Sequence, residues 1–260
     1  MSEQVLPFGE QADVYEDTRP GYPDALVRTV LDYARPLAGP VVEVGAGTGK
    51  ATEAFVRGLT PDGVPVRCVE PDPRRAAVLR GRLPVEVDVV RFEDWAPPAG
   101  GVGLLYCAQA WHWMDERLRC ALAHGALAPS GTVALFSHAY LHTDPAVEAA
   151  QRRVYEAHAP ELLTTIRARV PDEPPGDNWL TVELAGCGLF ADVRAHRFVT
   201  TVDYSSARYR RLVGTFSPVS RVPADRRARL LTGLAEVVDA WGGTVGVRLD
   251  TTLALGRRPA

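Results

Sequence analysis

Short apolar runs alternate with helical patterns through the first half of the chain. The helices predicted there are Pro23 to Ala38, Lys50 to Leu59, Pro73 to Leu83 and Asp115 to Leu127. Pro129-Ser130-Gly131 reads as the turn before the fifth strand. The predicted strands are short and apolar, as in a sheet covered on both faces: Val41 to Gly45, Val64 to Glu70, Val85 to Phe92, Val102 to Gln109 and Gly131 to Ser137. This alternation predicts an α/β fold with a doubly wound parallel sheet.

The alternation stops near Tyr140. Residues 140–178 show no strand signal, hold a helical stretch around Ala146 to His158 and contain Pro171, Pro174 and Pro175. Two further strands, Asp192 to Val202 and Val245 to Gly256, flank a helical stretch from Val222 to Trp241. We therefore expect a core with an N-terminal lid segment over residues 1–139, a helical cap insertion over 140–180, and the rest of the core over 181–260, with a helical insertion between its last two strands.

Composition narrows the class of protein. The 260 residues are 46% hydrophobic and 23% charged, which fits one large domain or a domain with an inserted cap. A net charge of −3 argues against nucleic-acid and membrane-surface partners. The N-terminus lacks a signal-peptide pattern, and no apolar stretch approaches the roughly 18 residues of a membrane helix, so we expect a cytoplasmic protein.

Lys50 is the single lysine among 29 basic residues, and we attribute the arginine excess to compositional bias. An arginine cluster such as Arg208, Arg210 and Arg211 is then better explained as a solvated helix face than as an anion site. The cysteines show no C-x-x-C pairing, and no histidine or acidic cluster has metal-ligand spacing. We expect no disulfide and no metal.

The most informative segment runs from Val41 to Lys50, where a strand leads into glycines at alternate positions and then into a helix. Glycines let the backbone turn tightly and approach a ligand closely, while a helix N-terminus offers free N–H groups. A dinucleotide fingerprint starting at Gly45 requires glycine at position 50, where Lys50 stands instead. This disfavours a nicotinamide-dependent dehydrogenase, and Glu43 is placed to meet a positively charged group.

Acidic residues follow the next two strands. Glu70 ends the second strand, and a carboxylate there can accept two hydrogen bonds from a ribose diol. After the third strand come Phe92 and Glu93, where an adenine ring would need stacking and an acceptor. A solvated acidic turn is the weaker explanation for Glu70 but a competitive one for Glu93.

These segments, with residues 108–113, resemble class I S-adenosylmethionine-dependent methyltransferases, most closely the methyltransferase type 11 group that includes trans-aconitate methyltransferase-like proteins. The resemblance extends to Tyr15, Arg19-Pro20 and Tyr22-Pro23, and it is weakest over residues 140–178. Ser130 stands where the family commonly has glycine. The resemblance implies a Rossmann-like seven-stranded sheet of order 3-2-1-4-5-7-6, with strand 7 antiparallel.

The resemblance also implies S-adenosyl-L-methionine as the cofactor and S-adenosyl-L-homocysteine as the product. Glu43 and the glycines would hold the methionine moiety, Glu70 the ribose, and Phe92 with Glu93 the adenine. Tyr15 and Arg19 would close the site. The implied cofactor-binding set is Tyr15, Arg19, Glu43, Gly45, Ala46, Gly47, Thr48, Gly49, Glu70, Pro71, Phe92, Glu93, Ala108, Gln109 and Trp111.

Methyl transfer from a sulfonium needs positioning and desolvation, and it needs a base only when the acceptor must lose a proton. His112 is the candidate base; alternatively, it packs as part of the wall between two tryptophans. The candidate substrate contacts are aromatic residues and histidines, although some of the rings are equally well explained as core: Trp113, Tyr140, His138, His142 and Trp179.

The leading hypothesis is a methyltransferase that acts on an O, N or carboxylate acceptor of a small molecule, as a monomer or homodimer. The alternative is an S-adenosylmethionine-binding protein of the same fold with another role. A nucleic-acid or protein methyltransferase is disfavoured by the charge and by the lack of an added recognition domain.

Overall fold

A computed structural model describes residues 18–164 and 174–260 of the chain. Its strands form a single sheet of order β3-β2-β1-β4-β5-β7-β6. The strands are β1 (Val41–Val44), β2 (Val66–Val69), β3 (Glu86–Asp88), β4 (Val102–Ala108), β5 (Leu127–His142), β6 (Ala191–Ser205) and β7 (Thr244–Arg257).

The first five strands are parallel to one another, with Val41 opposite both Val66 and Leu104. Strand β7 runs antiparallel to β5, because the Arg258 N–H donates to the Gly131 carbonyl while the Thr143 N–H donates to the Gly246 carbonyl. The sheet order and the antiparallel seventh strand that the resemblance implied are therefore confirmed.

Helices connect the strands, and several begin at caps that the sequence encodes. Pro73 opens its helix, where Asp72 accepts a hydrogen bond from the Arg74 N–H at 2.9 Å, and Asp144 accepts one from the Ala146 N–H at 2.8 Å. The helices are α1 (Asp24–Ala34), α2 (Lys50–Leu59), α3 (Pro73–Arg82), α4 (Arg119–Ala126), α5 (Pro145–His158), α6 (Trp179–Gly186), α7 (Ser206–Gly214), α8 (Ser217–Ser220) and α9 (Ala224–Ala240).

The prediction of a turn at Pro129-Ser130-Gly131 was wrong. These residues lie within the continuous strand β5, at a bulge where the pairing shifts from Val102 opposite Leu127 to Leu104 opposite Thr132. Ser130 has a φ of 60° in this bulge, a left-handed conformation that glycine adopts most readily. This conformation explains why glycine suits the position.

Other boundaries also differ from the prediction. Strand β5 continues through Tyr140 to His142, inside the segment that was predicted to hold no strand. Phe92 is in a short 3-10 helix, Phe92–Asp94, and not in the third strand. Helices α1 and α4 are shorter than predicted, and α7 and α8 were missed, because the arginines of α7 and the brevity of α8 obscure an apolar period.

The chain forms two compact units. The larger contains the described residues 21–138, 174–198 and 251–260, and the smaller contains 18–20, 139–164 and 199–250, so β5, β6 and β7 contribute to both. In the larger unit, apolar side chains of β1 and β4 pack against helices on both faces of the sheet. The smaller unit has its own core, in which Tyr155, Tyr204 and Leu234 are buried. Among the described helices, none is long and apolar enough to cross a membrane.

Candidate functional site

The glycine turn follows β1 in the larger unit. Gly45, Gly47 and Gly49 have φ values of 71°, 60° and 94°, so each occupies the left-handed region. A Cβ atom on Gly45 would lie 2.4 Å from the Ala110 Cβ, and one on Gly49 would lie 2.5 Å from a Leu79 methyl group. A Cβ on Gly47 would meet only Arg75, at 4.0 Å. Gly45 and Gly49 are thus required by packing, whereas Gly47 faces open space.

Glu70 joins this turn to the end of β2. One carboxylate oxygen accepts the Gly47 N–H at 2.7 Å, and the other accepts the Asp72 N–H at 2.9 Å. The Gly45 N–H donates to the Val69 carbonyl at 2.8 Å. Burial raises the pKa of Glu70, while the charge of Arg75 opposes the rise. The sequence predicted Glu70 at the end of the second strand. In the structure its carboxylate also holds the glycine turn through the Gly47 N–H.

Glu43 lies on β1 with its carboxyl group buried. It accepts a hydrogen bond from the Thr52 hydroxyl at 2.6 Å. Burial raises the pKa of Glu43 to about 8, although the hydrogen bond from Thr52 favours the charged form. Glu43 is therefore mostly protonated at neutral pH, and a neighbouring cation would promote its ionisation.

The end of β3 holds the residues predicted for adenine. Phe92 is buried and stacks with Trp95 at 6.4 Å between ring centroids. Glu93 is held by the Asp115 N–H at 2.9 Å and by Arg91 at 3.3 Å. Asp88, which sequence reasoning missed, accepts the Trp95 indole N–H at 3.0 Å. Its position at the end of β3 was the signal in the sequence that could have marked it as a site residue.

The tip of β4 carries Ala108 and Gln109. Gln109 has a φ of 60°, and its side-chain amide donates to the His138 carbonyl at 3.5 Å. His138 is itself buried, with Nδ1 2.6 Å from the Thr251 hydroxyl and its ring stacked on Tyr22. His138 is therefore a packed residue of the larger unit.

Trp111 is also a core residue. Its indole N–H donates to Glu183 at 3.1 Å, and Glu183 forms a two-pronged ion pair with Arg119, with both contacts at 2.6 Å. Arg119 donates back to the Trp111 carbonyl at 3.0 Å. Sequence reasoning missed Arg119 and Glu183 because they lie 64 positions apart with no local motif.

The other candidate residues of the larger unit are more exposed. His112 and Trp113 lie on the 3-10 helix Trp111–Trp113, with their rings 5.1 Å apart. Trp179 is 41% exposed and packs against the Arg119 guanidinium. The structure therefore places Trp111 in the core and leaves His112, Trp113 and Trp179 on accessible positions.

Tyr140, His142 and Arg19 belong to the smaller unit. Arg19 donates to Thr215 at 2.9 Å and to the Tyr140 hydroxyl at 3.2 Å, and it lies over the Phe216 ring. Tyr140 and His142 line a cavity there of about 360 Å³. Tyr15, which the resemblance assigns to the cofactor site, lies outside the described residues.

The larger unit fits a cofactor that combines positive charge with a ribose. The glycine turn leaves room at Gly47, and two buried carboxyl groups, Glu43 and Glu70, flank it. Within the described residues, no side chain caps the start of α2, whereas Asp72 caps α3. S-adenosyl-L-methionine carries the matching ammonium, carboxylate and diol groups.

Comparisons with known proteins agree with this fold. No protein-family model matches the sequence. An uncharacterised methyltransferase of Mycobacterium tuberculosis is 34% identical over 131 residues, 50% of this chain and 51% of that protein, so the chain spans about half the length of such curated relatives. An uncharacterised methyltransferase-like protein of Schizosaccharomyces pombe is 25% identical over 242 residues, 91% of this chain and 88% of that protein.

Solved structures share the fold. A protein of Anaeromyxobacter dehalogenans assigned as a type II methyltransferase has a TM-score of 0.67 at 24% identity, covering 93% of this chain and 99% of that one. Phosphoethanolamine N-methyltransferase 2 of Haemonchus contortus, solved with S-adenosyl-L-methionine, has a TM-score of 0.54 at 11% identity, covering 99% of this chain and 59% of that one.

The chain therefore has the fold of the class I S-adenosylmethionine-dependent methyltransferases, and its curated relatives are named methyltransferases, as the motif resemblance predicted. The trans-aconitate-like subgroup stays a prediction.

Proposed function

We propose that this protein is an S-adenosyl-L-methionine-dependent methyltransferase that acts on an O, N or carboxylate acceptor of a small molecule. The observation that carries the proposal is the hydrogen bond from the Gly47 N–H, after β1, to the Glu70 carboxylate, at the end of β2. It sets an open backbone turn beside a buried carboxylate, where a charged nucleoside could be held by both. The likeness to solved methyltransferases supports the same function.

Each residue group has a distinct task in this proposal. The bound cofactor would supply an electrophilic methyl group on a sulfonium. Glu43 and the turn would hold its methionine part, and Glu70 would hold the ribose. Phe92 would pack beside the adenine. His112 stays the predicted base, because its exposed position on the 3-10 helix leaves the imidazole accessible to an acceptor.

Two matched glycine substitutions test the cofactor site. Gly47 and Gly63 have φ values of 60° and 66°, and a Cβ at Gly63 meets nothing within 4 Å. Gly47→Ala and Gly63→Ala should therefore cost similar backbone strain, of about 1 kcal/mol. Calorimetry should show S-adenosyl-L-methionine binding weakened about tenfold or more by Gly47→Ala and unchanged by Gly63→Ala.

The same titrations separate cofactor classes. NAD should give no binding heat with the unaltered protein. Equal affinity of the two alanine variants for S-adenosyl-L-methionine, or tight binding of NAD, would contradict the proposed site.

Turnover distinguishes an enzyme from a binding protein. The unaltered protein should release S-adenosyl-L-homocysteine when it is incubated with labelled cofactor and a broad panel of small alcohols, phenols, amines and carboxylic acids. Tight cofactor binding without product release across that panel would favour the alternative, a protein that uses the cofactor for another role.

A further inference from the structure

The cavity of the smaller unit has an apolar wall. Its volume of about 360 Å³ is at the lower end of the range of about 300–1,000 Å³ that small-molecule sites occupy. The wall is built from β5, α5, α7, α8 and β7, which contribute mostly aliphatic and aromatic side chains. The apolar lining includes Leu141, Leu162, Leu212, Phe216, Val219 and Val247.

Three polar side chains form a chain of hydrogen bonds in this wall. The Tyr209 hydroxyl is 2.7 Å from the Gln151 Oε1 and 3.1 Å from the His142 Nε2. Tyr209 and Gln151 are buried, with 5% and 2% exposure. Among the described residues, two further atoms of this group are buried without a hydrogen-bond partner, the His142 Nδ1 and the Gln151 Nε2. Buried polar atoms of this kind cost free energy unless a ligand or water satisfies them.

As a pair, those two positions offer one donor and one acceptor whichever way the protons are assigned. If Tyr209 donates to Gln151, then His142 donates from Nε2, its Nδ1 is an acceptor, and the Gln151 amide remains a donor. If the amide is flipped, Tyr209 donates to His142, whose Nδ1–H becomes the donor, while Gln151 presents an acceptor. Both arrangements leave one donor and one acceptor.

The charged side chains of the lining already have partners. Arg152 pairs with Glu148 at 3.5 Å, and Arg248 pairs with Asp250 at 3.4 Å. Burial lowers the pKa of His142, so its imidazole is neutral at neutral pH. Arg19 is a further cation near the lining: its guanidinium lies over the Tyr140 and Phe216 rings and donates to Thr215 and Tyr140. The lining therefore suits a neutral ligand.

We propose that this cavity binds the acceptor, and that the acceptor is a neutral small molecule with an apolar or aromatic body and a hydroxyl group held between His142 and Gln151. A hydroxyl both donates and accepts, so it satisfies the two buried atoms in either proton arrangement. The identification of this ligand as the methyl acceptor rests on the proposed function, whereas the binding itself does not.

Four probes of similar shape test the chemistry on the unaltered protein, without cofactor. They are 2-naphthol, 2-methoxynaphthalene, 2-methylnaphthalene and 2-naphthoate, with affinities measured by calorimetry or ligand-observed NMR. We expect 2-naphthol to bind about tenfold more tightly than the methoxy and methyl probes, because only its hydroxyl both donates and accepts. We expect 2-naphthoate to bind more weakly than 2-naphthol.

Substitutions locate the binding. His142→Phe and Gln151→Met keep the side-chain bulk but remove the polar atoms, so each should reduce the preference for 2-naphthol to within about twofold of 2-methylnaphthalene. His158→Phe, at the end of α5 and outside the cavity lining, is the matched control and should retain the preference. Thermal melts establish that each variant is folded.

Three outcomes would overturn the proposal: equal binding of 2-naphthol and 2-methylnaphthalene, tighter binding of 2-naphthoate, or an unchanged preference in both variants. The first two are read on the unaltered protein, so a variant that fails to fold does not block the test. A preference for 2-naphthol in a protein that binds no S-adenosyl-L-methionine would disprove the proposed function and leave the hydroxyl site intact.

Discussion

The glycine turn and the cavity of the smaller unit differ most in how far apart along the chain their residues lie. In the turn, the Gly47 N–H and the Glu70 carboxylate are 23 positions apart. In the cavity, Tyr209 contacts Gln151 and His142 across 58 and 67 positions. The turn is encoded by a local motif and one strand-end acid. The cavity needs two strands and three helices to fold before its polar atoms meet.

The largest expected effect is on turnover, and it should differ between substitutions of two histidines, one in each unit. If His112 is the base, His112→Ala should lower turnover about 1,000-fold with little change in cofactor affinity. His142→Phe should instead raise the acceptor KM, since His142 is proposed to anchor the acceptor. Steady-state kinetics and calorimetry on both variants make the comparison. Near-normal turnover in His112→Ala would remove His112 from the mechanism.

A long-range ion pair shows that the larger unit also depends on contacts between residues far apart along the chain. Arg119 and Glu183 are only 10% and 20% exposed, so Glu183→Ala leaves a largely buried charge and an unpaired Trp111 N–H. We expect a loss of about 3 kcal/mol in the free energy of unfolding, measured by urea denaturation.

The matched control for that loss is Asp225→Ala, which breaks the exposed pair with Arg229. It should change the free energy of unfolding far less than Glu183→Ala does, because water and salt screen such a pair. Equal losses for the two variants would show that burial does not set the strength of the Arg119 pair.

Reciprocal substitutions test whether the two sites bind independently. In Gly45→Ala the new Cβ would collide with Ala110 and move the turn, and a displacement of about 1 Å can cost about 100-fold in function. We expect a loss of that order in affinity for S-adenosyl-L-methionine and unchanged binding of 2-naphthol. His142→Phe should show the reverse pattern, and parallel losses in either variant would argue against two separate sites.

The last expected effect concerns the pH dependence of stability at Glu43. Its folded pKa of about 8 lies above the unfolded value, so the folded state holds a proton that the unfolded state releases. The contribution of Glu43 to stability is complete below the unfolded pKa and declines as the pH rises towards 8. In that window, Glu43→Gln should gain stability relative to the unaltered protein, by at most about 1.4 kcal/mol per pH unit.

Denaturation curves at several pH values between 5 and 8.5 provide this measurement, and the unaltered protein should lose stability relative to Glu43→Gln as the pH rises. Thr29→Ser, on an exposed face of α1, is a control that should leave the pH profile unchanged. Parallel profiles for the unaltered protein and Glu43→Gln would mean that Glu43 does not titrate abnormally.

The comparison also explains which sequence predictions succeeded. Helix α2 was predicted with its observed bounds, Lys50–Leu59, because Gly49 ends the turn and an amphipathic period follows at once. The bulge at Ser130 was misread as a turn, because a Pro-Ser-Gly run encodes a bend but not whether a neighbouring strand pairs across it. The assignment of Trp111 to the cofactor site stays a prediction, and its burial against Glu183 depends on a helix far along the chain.

Local sequence accounts for the strand and helix alternation, the glycine turn and the strand-end acid Glu70, because backbone conformation and short-range hydrogen bonds depend on adjacent residues. Long-range packing accounts for the burial that raises the pKa of Glu43 to about 8 and for the meeting of His142, Gln151 and Tyr209 at one cavity. Burial and hydrogen-bond partnership depend on which distant segments pack together, and no local pattern specifies that packing.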